Sequence, residues 1–262
     1  MRRPAALSIA GSDSGGGAGI QADLLTFSRL GVFATTVVTC VTAQNLSGVS
    51  LVVPLEPAQV QAQIEKVLDG FPVGAVKTGM LYSREIIERV AVIAARLGFP
   101  PLVVDPVMVA TSGDRLLEEN ATLAYVERLF PRARVATPNL DEAAVLLGRR
   151  ARSEDDLPDH ARALSEKIGC PVFLKGGHLD GNPVDVLWDG MKSHWWEGSR
   201  IGGVVTHGTG CMLSAALTAR LALGDDLPQA CEAAREFVRW TLLHPVELTV
   251  RTRVPGLGRF EV

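Results

Sequence analysis

The chain is predicted to fold as an α/β protein of three layers, a mostly parallel central sheet with helices on both faces. Three observations predict this. Short apolar or β-branched runs alternate with amphipathic runs from one end to the other. Strand-like runs of that composition suit a sheet covered on both faces, with right-handed crossovers through the intervening helices. No long linker, composition break or internal repeat divides the chain, so one domain over residues 1–262 is expected.

Taken in order, residues 5–10 read as a strand that runs into Gly11-Ser-Asp-Ser-Gly-Gly-Gly-Ala-Gly and then a helix near 20–30. A Val/Thr-rich strand is expected at 34–42, a helix at 57–68, a strand at 73–78 and a helix at 83–97. Further strands are expected at 102–107, 135–137 and 172–175, with helices at 119–130, 140–147 and 158–168 between them. Residues 184–188 and 193–196 form a hairpin pattern around Asp189-Gly190. Helices at 211–223 and 227–243 close the fold. In open parallel sheets the loops after the carboxyl ends of the strands carry the site, here after Ala10, Thr42, Lys77, Val104, Thr137 and Lys175.

Composition excludes several classes. With 47% hydrophobic and 21% charged residues the chain can bury a full core. A net charge of −3 and 5% aromatics leave no electrostatic or stacking footprint for nucleic acid. No window approaches a membrane span, and the apolar run after Arg2-Arg3 is too short for an export signal. The four cysteines, Cys40, Cys170, Cys211 and Cys231, are scattered, so neither a disulfide framework nor a zinc site is expected. A cytosolic protein is the resulting expectation.

The most informative stretch is His207-Gly-Thr-Gly-Cys-Met-Leu-Ser. A glycine turn feeding a helix presents unpaired N–H groups and the positive end of the macrodipole, a place for phosphate. Gly208, Thr209 and Gly210 are the amides expected there. Cys211, in the first turn, is expected to have a lowered thiol pKa from the same field. The loop at 11–19 fits neither G-x-G-x-x-G nor G-x-x-x-x-G-K-[ST], which argues against a dinucleotide fold and a P-loop. It suits close approach of backbone to a small ligand, or a plain tight turn. Of the two polar residues in the next helix, Asp23 is a pocket candidate and Gln21 is expected on the solvated surface. Asn139 with Glu142 reads as a capping box in which the carboxylate can also face a ligand.

These blocks together resemble the hydroxymethylpyrimidine (phosphate) kinases of thiamin synthesis, members of the ribokinase-like superfamily. The residues that carry it are Gly11 through Asp23, Val41-Thr-Ala-Gln-Asn, Lys77-Thr-Gly-Met-Leu and Val104-Asp-Pro-Val-Met, followed by Ser112-Gly-Asp, Thr137-Pro-Asn-Leu-Asp-Glu-Ala, Leu174-Lys-Gly-Gly-His and His207-Gly-Thr-Gly-Cys. They lie in one order over about residues 5–225, and nothing is carried onto the last forty. Ser14-Gly15 and Leu24 depart from the family's usual Pro-Ser and lysine, at places expected to leave the chemistry untouched.

The resemblance implies a ribokinase-like fold, ATP and Mg²⁺, a homodimer, and phosphorylation of an aminopyrimidine alcohol and then of its monophosphate. A pyridoxal or pyridoxine kinase is the neighbouring alternative. It implies Cys211 as base, with Gly208, Thr209 and Gly210 as the anion hole. Lys175 and Asn139 would stand on the phosphate side, and Asp105 and Glu142 at the metal. It also implies Asp23 and Gln44, with Ala18, Met80 and Val107 as apolar walls, around the pyrimidine. Lys77 has a weaker claim on phosphate, and His207 would tune the thiol or cap the turn.

Overall fold

The chain is described by a computed structural model covering residues 3–108, 117–118, 121–177, 179, 181–249 and 252–258. Nine strands form one sheet. β1 (Ala5–Asp13), β2 (Phe33–Asn45), β4 (Val73–Thr78), β5 (Leu102–Val104), β6 (Val135–Ala136) and β7 (Val172–Lys175) run parallel in the order β2-β1-β4-β5-β6-β7. Antiparallel strands finish both edges: β3 (Gly48–Pro54) beside β2, and the hairpin β8 (Val184–Trp188) and β9 (Ser193–Glu197) beside β7.

The two-residue period of the strands sorts the core into two layers. Leu7, Ile9, Val76, Leu102, Val104, Val172 and Leu174 face α2 (Pro57–Gly70), α3 (Arg84–Leu97), α5 (Leu140–Leu147) and α6 (Leu157–Ile168). Their neighbours Ala6, Ala75, Val103, Val135 and Phe173 face α1 (Gly19–Arg29), α7 (Thr209–Leu223) and α8 (Leu227–Leu243). Small residues lie under α7, and a Cβ on Gly74 would stand 3.3 Å from the Ala222 carbonyl. α7 is buried almost all round, which is why its sequence is apolar on every face.

Three sequence expectations change. The helix expected at 119–130 is an α-helical turn, α4 (Ala121–Ala124), then a π-helical turn over Tyr125–Leu129 and a 3₁₀ turn over Phe130–Arg132. Pro131 has no N–H for the ladder, and the loosened turn lets Tyr125 and Phe130 both enter the core, ring centroids 5.5 Å apart. β2 continues to Asn45 because β3, absent from the sequence reading, pairs with its end. β3 is a half-exposed edge of seven residues whose Leu51 and Val53 face solvent, so its apolar side chains mark no buried face. Beyond α8 a small ribbon, β10 (Val246–Thr249) and β11 (Thr252–Val254), was also unforeseen.

Substitution Phe27→Ala, at a fully buried ring between α1 and α7, is expected to cost about 3–5 kcal/mol in chemical denaturation. Val92→Ala on the exposed face of α3 should stay within about 0.5 kcal/mol.

Candidate active site

Parallel β1, β4, β5, β6 and β7 all end on one edge of the sheet, and α7 begins over that edge. At the end of β1 the Asp13 carboxylate organises the glycine loop. Its Oδ1 accepts the Gly15 N–H at 2.8 Å, and its Oδ2 accepts those of Gly17 and Ala18 at 3.1 and 2.8 Å. The same Oδ2 lies 3.3 Å from His207 Nε2. Burial alone would raise this carboxyl, but the His207 contact and the Gly15 and Ala18 amides hold it below the ordinary value. Gln21 corrects its expected surface role: its Oε1 accepts the Asp13 N–H at 2.9 Å and its Nε2 donates to Ser12 Oγ at 2.8 Å.

α7 starts against this loop, backbone to backbone. Gly208 caps the helix at φ +79°, and a Cβ there would sit 1.8 Å from the Gly17 carbonyl oxygen. Only glycine meets both demands. The Gly208, Gly210 and Cys211 amides have no acceptor among the described residues, so they remain available to an anion. Thr209 departs from the expected trio: its N–H is turned to the Thr206 carbonyl at 3.2 Å, and its hydroxyl donates to the same oxygen.

Cys211 is half-buried, whereas Cys40, Cys170 and Cys231 are buried. The Gly19 amide, Lys77, Asp23 and Asp105 all act on its sulfur. Here the sequence expectation is overturned in sign. Burial pushes the thiol up to about 11, Asp23 and Asp105 add to the rise, and Lys77 and the Gly19 amide only partly oppose it. The resting side chain is a thiol. His207 neither caps the turn nor reaches this sulfur; it bridges Asp13 and Gln44.

Two buried ion pairs underlie the helix start. Lys77 Nζ donates to Asp23 Oδ1 at 2.7 Å, and Ser8 Oγ donates to Asp23 Oδ2 at 2.5 Å, with all three side chains fully enclosed. The carboxylates of Asp23 and Asp105 hold Lys77 charged despite its burial. Asp23 therefore offers no exposed edge for a pyrimidine in this arrangement. Lys175 Nζ donates to Asp105 Oδ1 at 3.0 Å and lies 3.4 Å from where a Cβ on Gly210 would be. Thr137 and Ser214 hydroxyls, at 3.1 and 3.0 Å, complete the shell of Asp105.

Asn139 and Glu142 do form the capping box, with both hydrogen bonds at 2.8 Å. The second Glu142 oxygen receives only the Met108 N–H at 3.4 Å. Burial lifts Glu142 to about 7, and Lys175 offsets this only in part. No cluster of three or more metal-ligating side chains occurs among the described residues. Two adjacent carboxylates, one under-compensated in charge, still suit Mg²⁺, which takes most of its shell from phosphate and water.

On the acceptor side, Gln44 lines a cavity of about 200 Å³ with Asn45, Ser47, Gly48, Val205, Thr206 and His207. Its Nε2 is 3.4 Å from His207 Nε2, and Thr42 Oγ1 donates to its Oε1 at 3.2 Å. Met80 and Val107 pack with Cys40 as one apolar cluster, and Ala18 is held through its N–H by Asp13. Ser14 does touch the site: its hydroxyl donates to the Gln44 carbonyl and accepts the Gln44 N–H. Sequence reading missed this clasp and the Asp13 hub. An aspartate opening a glycine run was their only signal. The Ser112-Gly-Asp block, His178 and residues 119–120 lie outside the described residues.

A family model described as phosphomethylpyrimidine kinase matches residues 13–254. The hydroxymethylpyrimidine/phosphomethylpyrimidine kinase of Streptomyces coelicolor is 48% identical over 90% of this chain and 87% of its own length. That of Synechococcus elongatus is 44% identical over 95% of each. Among solved structures, Bacillus subtilis pyridoxal kinase in an ADP complex aligns at TM-score 0.88 and 37% identity over 97% of each chain. The phosphomethylpyrimidine kinase of Clostridium difficile aligns at 0.80 and 38%, covering 90% of this chain and 98% of its own. The α/β sheet thus matches ribokinase-like structures, and the chain belongs to the phosphomethylpyrimidine kinase family.

Proposed function

We propose that this chain uses ATP to phosphorylate the hydroxymethyl group of 4-amino-5-hydroxymethyl-2-methylpyrimidine, and then the monophosphate to the diphosphate, for thiamin biosynthesis. The observation that carries the reading is a convergence at one helix start: free amides, the Lys175 ammonium and the half-buried Cys211 sulfur. The acceptor oxygen attacks the γ-phosphorus as its proton passes to the thiolate form of Cys211, the bond to the β–γ bridging oxygen breaks, and ADP leaves with the electron pair. The Gly208 and Gly210 amides stabilise charge on the transferring group, and Lys175 compensates the phosphates. Asn139 holds Glu142 in place through its cap. Mg²⁺, when bound, would be held by Asp105 and Glu142 and would neutralise charge on the phosphates. Gln44 would read the aminopyrimidine edge, with Ala18, Met80 and Val107 as its walls, while Asp23 acts from beneath the pocket through Lys77.

The likeness to pyridoxal kinases, at TM-score 0.88, favours a second reading in which a pyridine alcohol is the acceptor. The pyrimidine is preferred because curated relatives 42–48% identical over most of the chain are pyrimidine kinases. The proposal includes residues 1–262 as one kinase domain, a homodimer, a cytoplasmic setting, and no nucleic-acid or membrane partner. No helix of the described residues is long and apolar enough to cross a membrane. Exposed Leu51 and Val53 on the β3 edge are consistent with a second copy.

Three measurements test this. Cys211→Ala should lose most turnover yet keep nucleotide binding by calorimetry. With wild type, kcat/KM should climb with pH toward a midpoint of about 11, and the variant's residual rate should lose that climb. An unchanged kcat removes Cys211 as base. Glu142 carries a proton below about 7, and that proton competes with a cation, so the Mg²⁺ requirement should fall as pH rises through this range. Glu142→Gln should raise the requirement and abolish its pH dependence; an unshifted titration leaves only the cap. Gln44→Ala should raise KM for the pyrimidine about tenfold, as loss of a buried polar contact does, with KM for ATP nearly fixed. Equal rises would mean a folding defect.

A further inference from the structure

We propose that Lys77 is a positioning residue for the reaction, the fixed cation that stabilises the Cys211 sulfur when it gives up its proton, with Asp23 and Ser8 holding the ammonium in place. This deepens the reading of Cys211 as base and rests on it. Lys77 is fully enclosed, yet its ammonium has three protons and makes one hydrogen bond among the described residues, to Asp23. A buried cation with two unmet donors is costly unless an acceptor arrives during the working cycle. α7, which carries Cys211, packs directly on β4, which carries Lys77, and on α1, which carries Asp23.

The charged groups acting on the sulfur come from every element around it. Lys77 lies on β4, Asp23 on α1, Asp105 after β5 and Lys175 at the end of β7, with the Gly19 amide at the start of α1. Lys175 also makes a single hydrogen bond, to Asp105 at 3.0 Å, but it stands against Gly210 and Asp105, whereas Lys77 is the cation that acts most strongly on the sulfur. Asp23 also opposes the thiolate, so its second task is to be neutralised itself. Ser8, at 2.5 Å, and Lys77, at 2.7 Å, do that.

The test uses the purified kinase and iodoacetamide, reading the alkylation rate of Cys211 against pH. The other three cysteines are buried and serve as an internal silent background, checked by mass spectrometry. Lys77→Gln should raise the alkylation midpoint by about one unit, a roughly tenfold lower thiolate fraction at fixed pH. Asp23→Asn keeps the shape and the hydrogen-bonding positions and covers the case in which the lysine variant does not fold. It should lower the midpoint. A midpoint unmoved in either variant, or moved the same way in both, overturns the role of Lys77. Turnover of Cys211→Ala bears separately on whether that sulfur is the base, so the two failures are distinguishable.

Discussion

The site depends on one backbone contact, the start of α7 against the glycine loop that follows β1. Gly208 approaches Gly17 so closely that any side chain on it would overlap the Gly17 carbonyl, and its positive φ turns the helix axis onto the sheet edge. That contact aims the free amides of the first helical turn, the place proposed for phosphate. The loop on the other side is not loose. Asp13 gathers three of its amides and reaches across to His207, just ahead of Gly208, so one carboxylate ties the two halves of the junction.

Packing beneath the junction explains why the charges can be where they are. Alanine and glycine on the strands allow α7 to sit low on the sheet, among the ends of β1, β4, β5 and β7. Lys77, Asp23, Asp105 and Lys175 are thereby buried in pairs, never singly. Removing one member of such a pair would leave an uncompensated charge, a penalty of several kcal/mol. The pairs also separate the two jobs. Lys175 and Asp105 stand beside Glu142 and Asn139, the proposed phosphate side, while Lys77 and Asp23 act on the cysteine.

The layered fold was legible because period-two strands and amphipathic helices are local signals; expected and observed limits of α3, β4, β7 and α8 nearly coincide. The β3 edge was not, since its apolar Val-Ser-Leu-Val-Val is half exposed and its pairing with the end of β2 is a tertiary contact. Nor was the turn at 125–132, where core packing of two rings and a proline override helix propensity. In the site, the residue types at the sheet edge could be read, but not which of them face one another. Gln21 could not be told from a surface glutamine, because its partners are a backbone amide and a serine on another element. The electrostatics failed for the same reason. A helix N-terminus favours the thiolate, but burial together with two nearby carboxylates outweighed it.

That reversal bears on how the cysteine works. A sulfur held protonated near neutrality is a scarce but strong base, since its conjugate thiol is a weak acid. In a loose transition state the alcohol loses its proton late, when bond formation to phosphorus has already made it acidic. The base must then already be a thiolate when it takes up that proton, beside a dense array of phosphate oxygens. A permanently ionised thiolate in the same place would repel the incoming triphosphate. In the proposed mechanism a fixed buried cation raises the small thiolate population that can take up the proton, while the resting thiol spares the incoming triphosphate that repulsion.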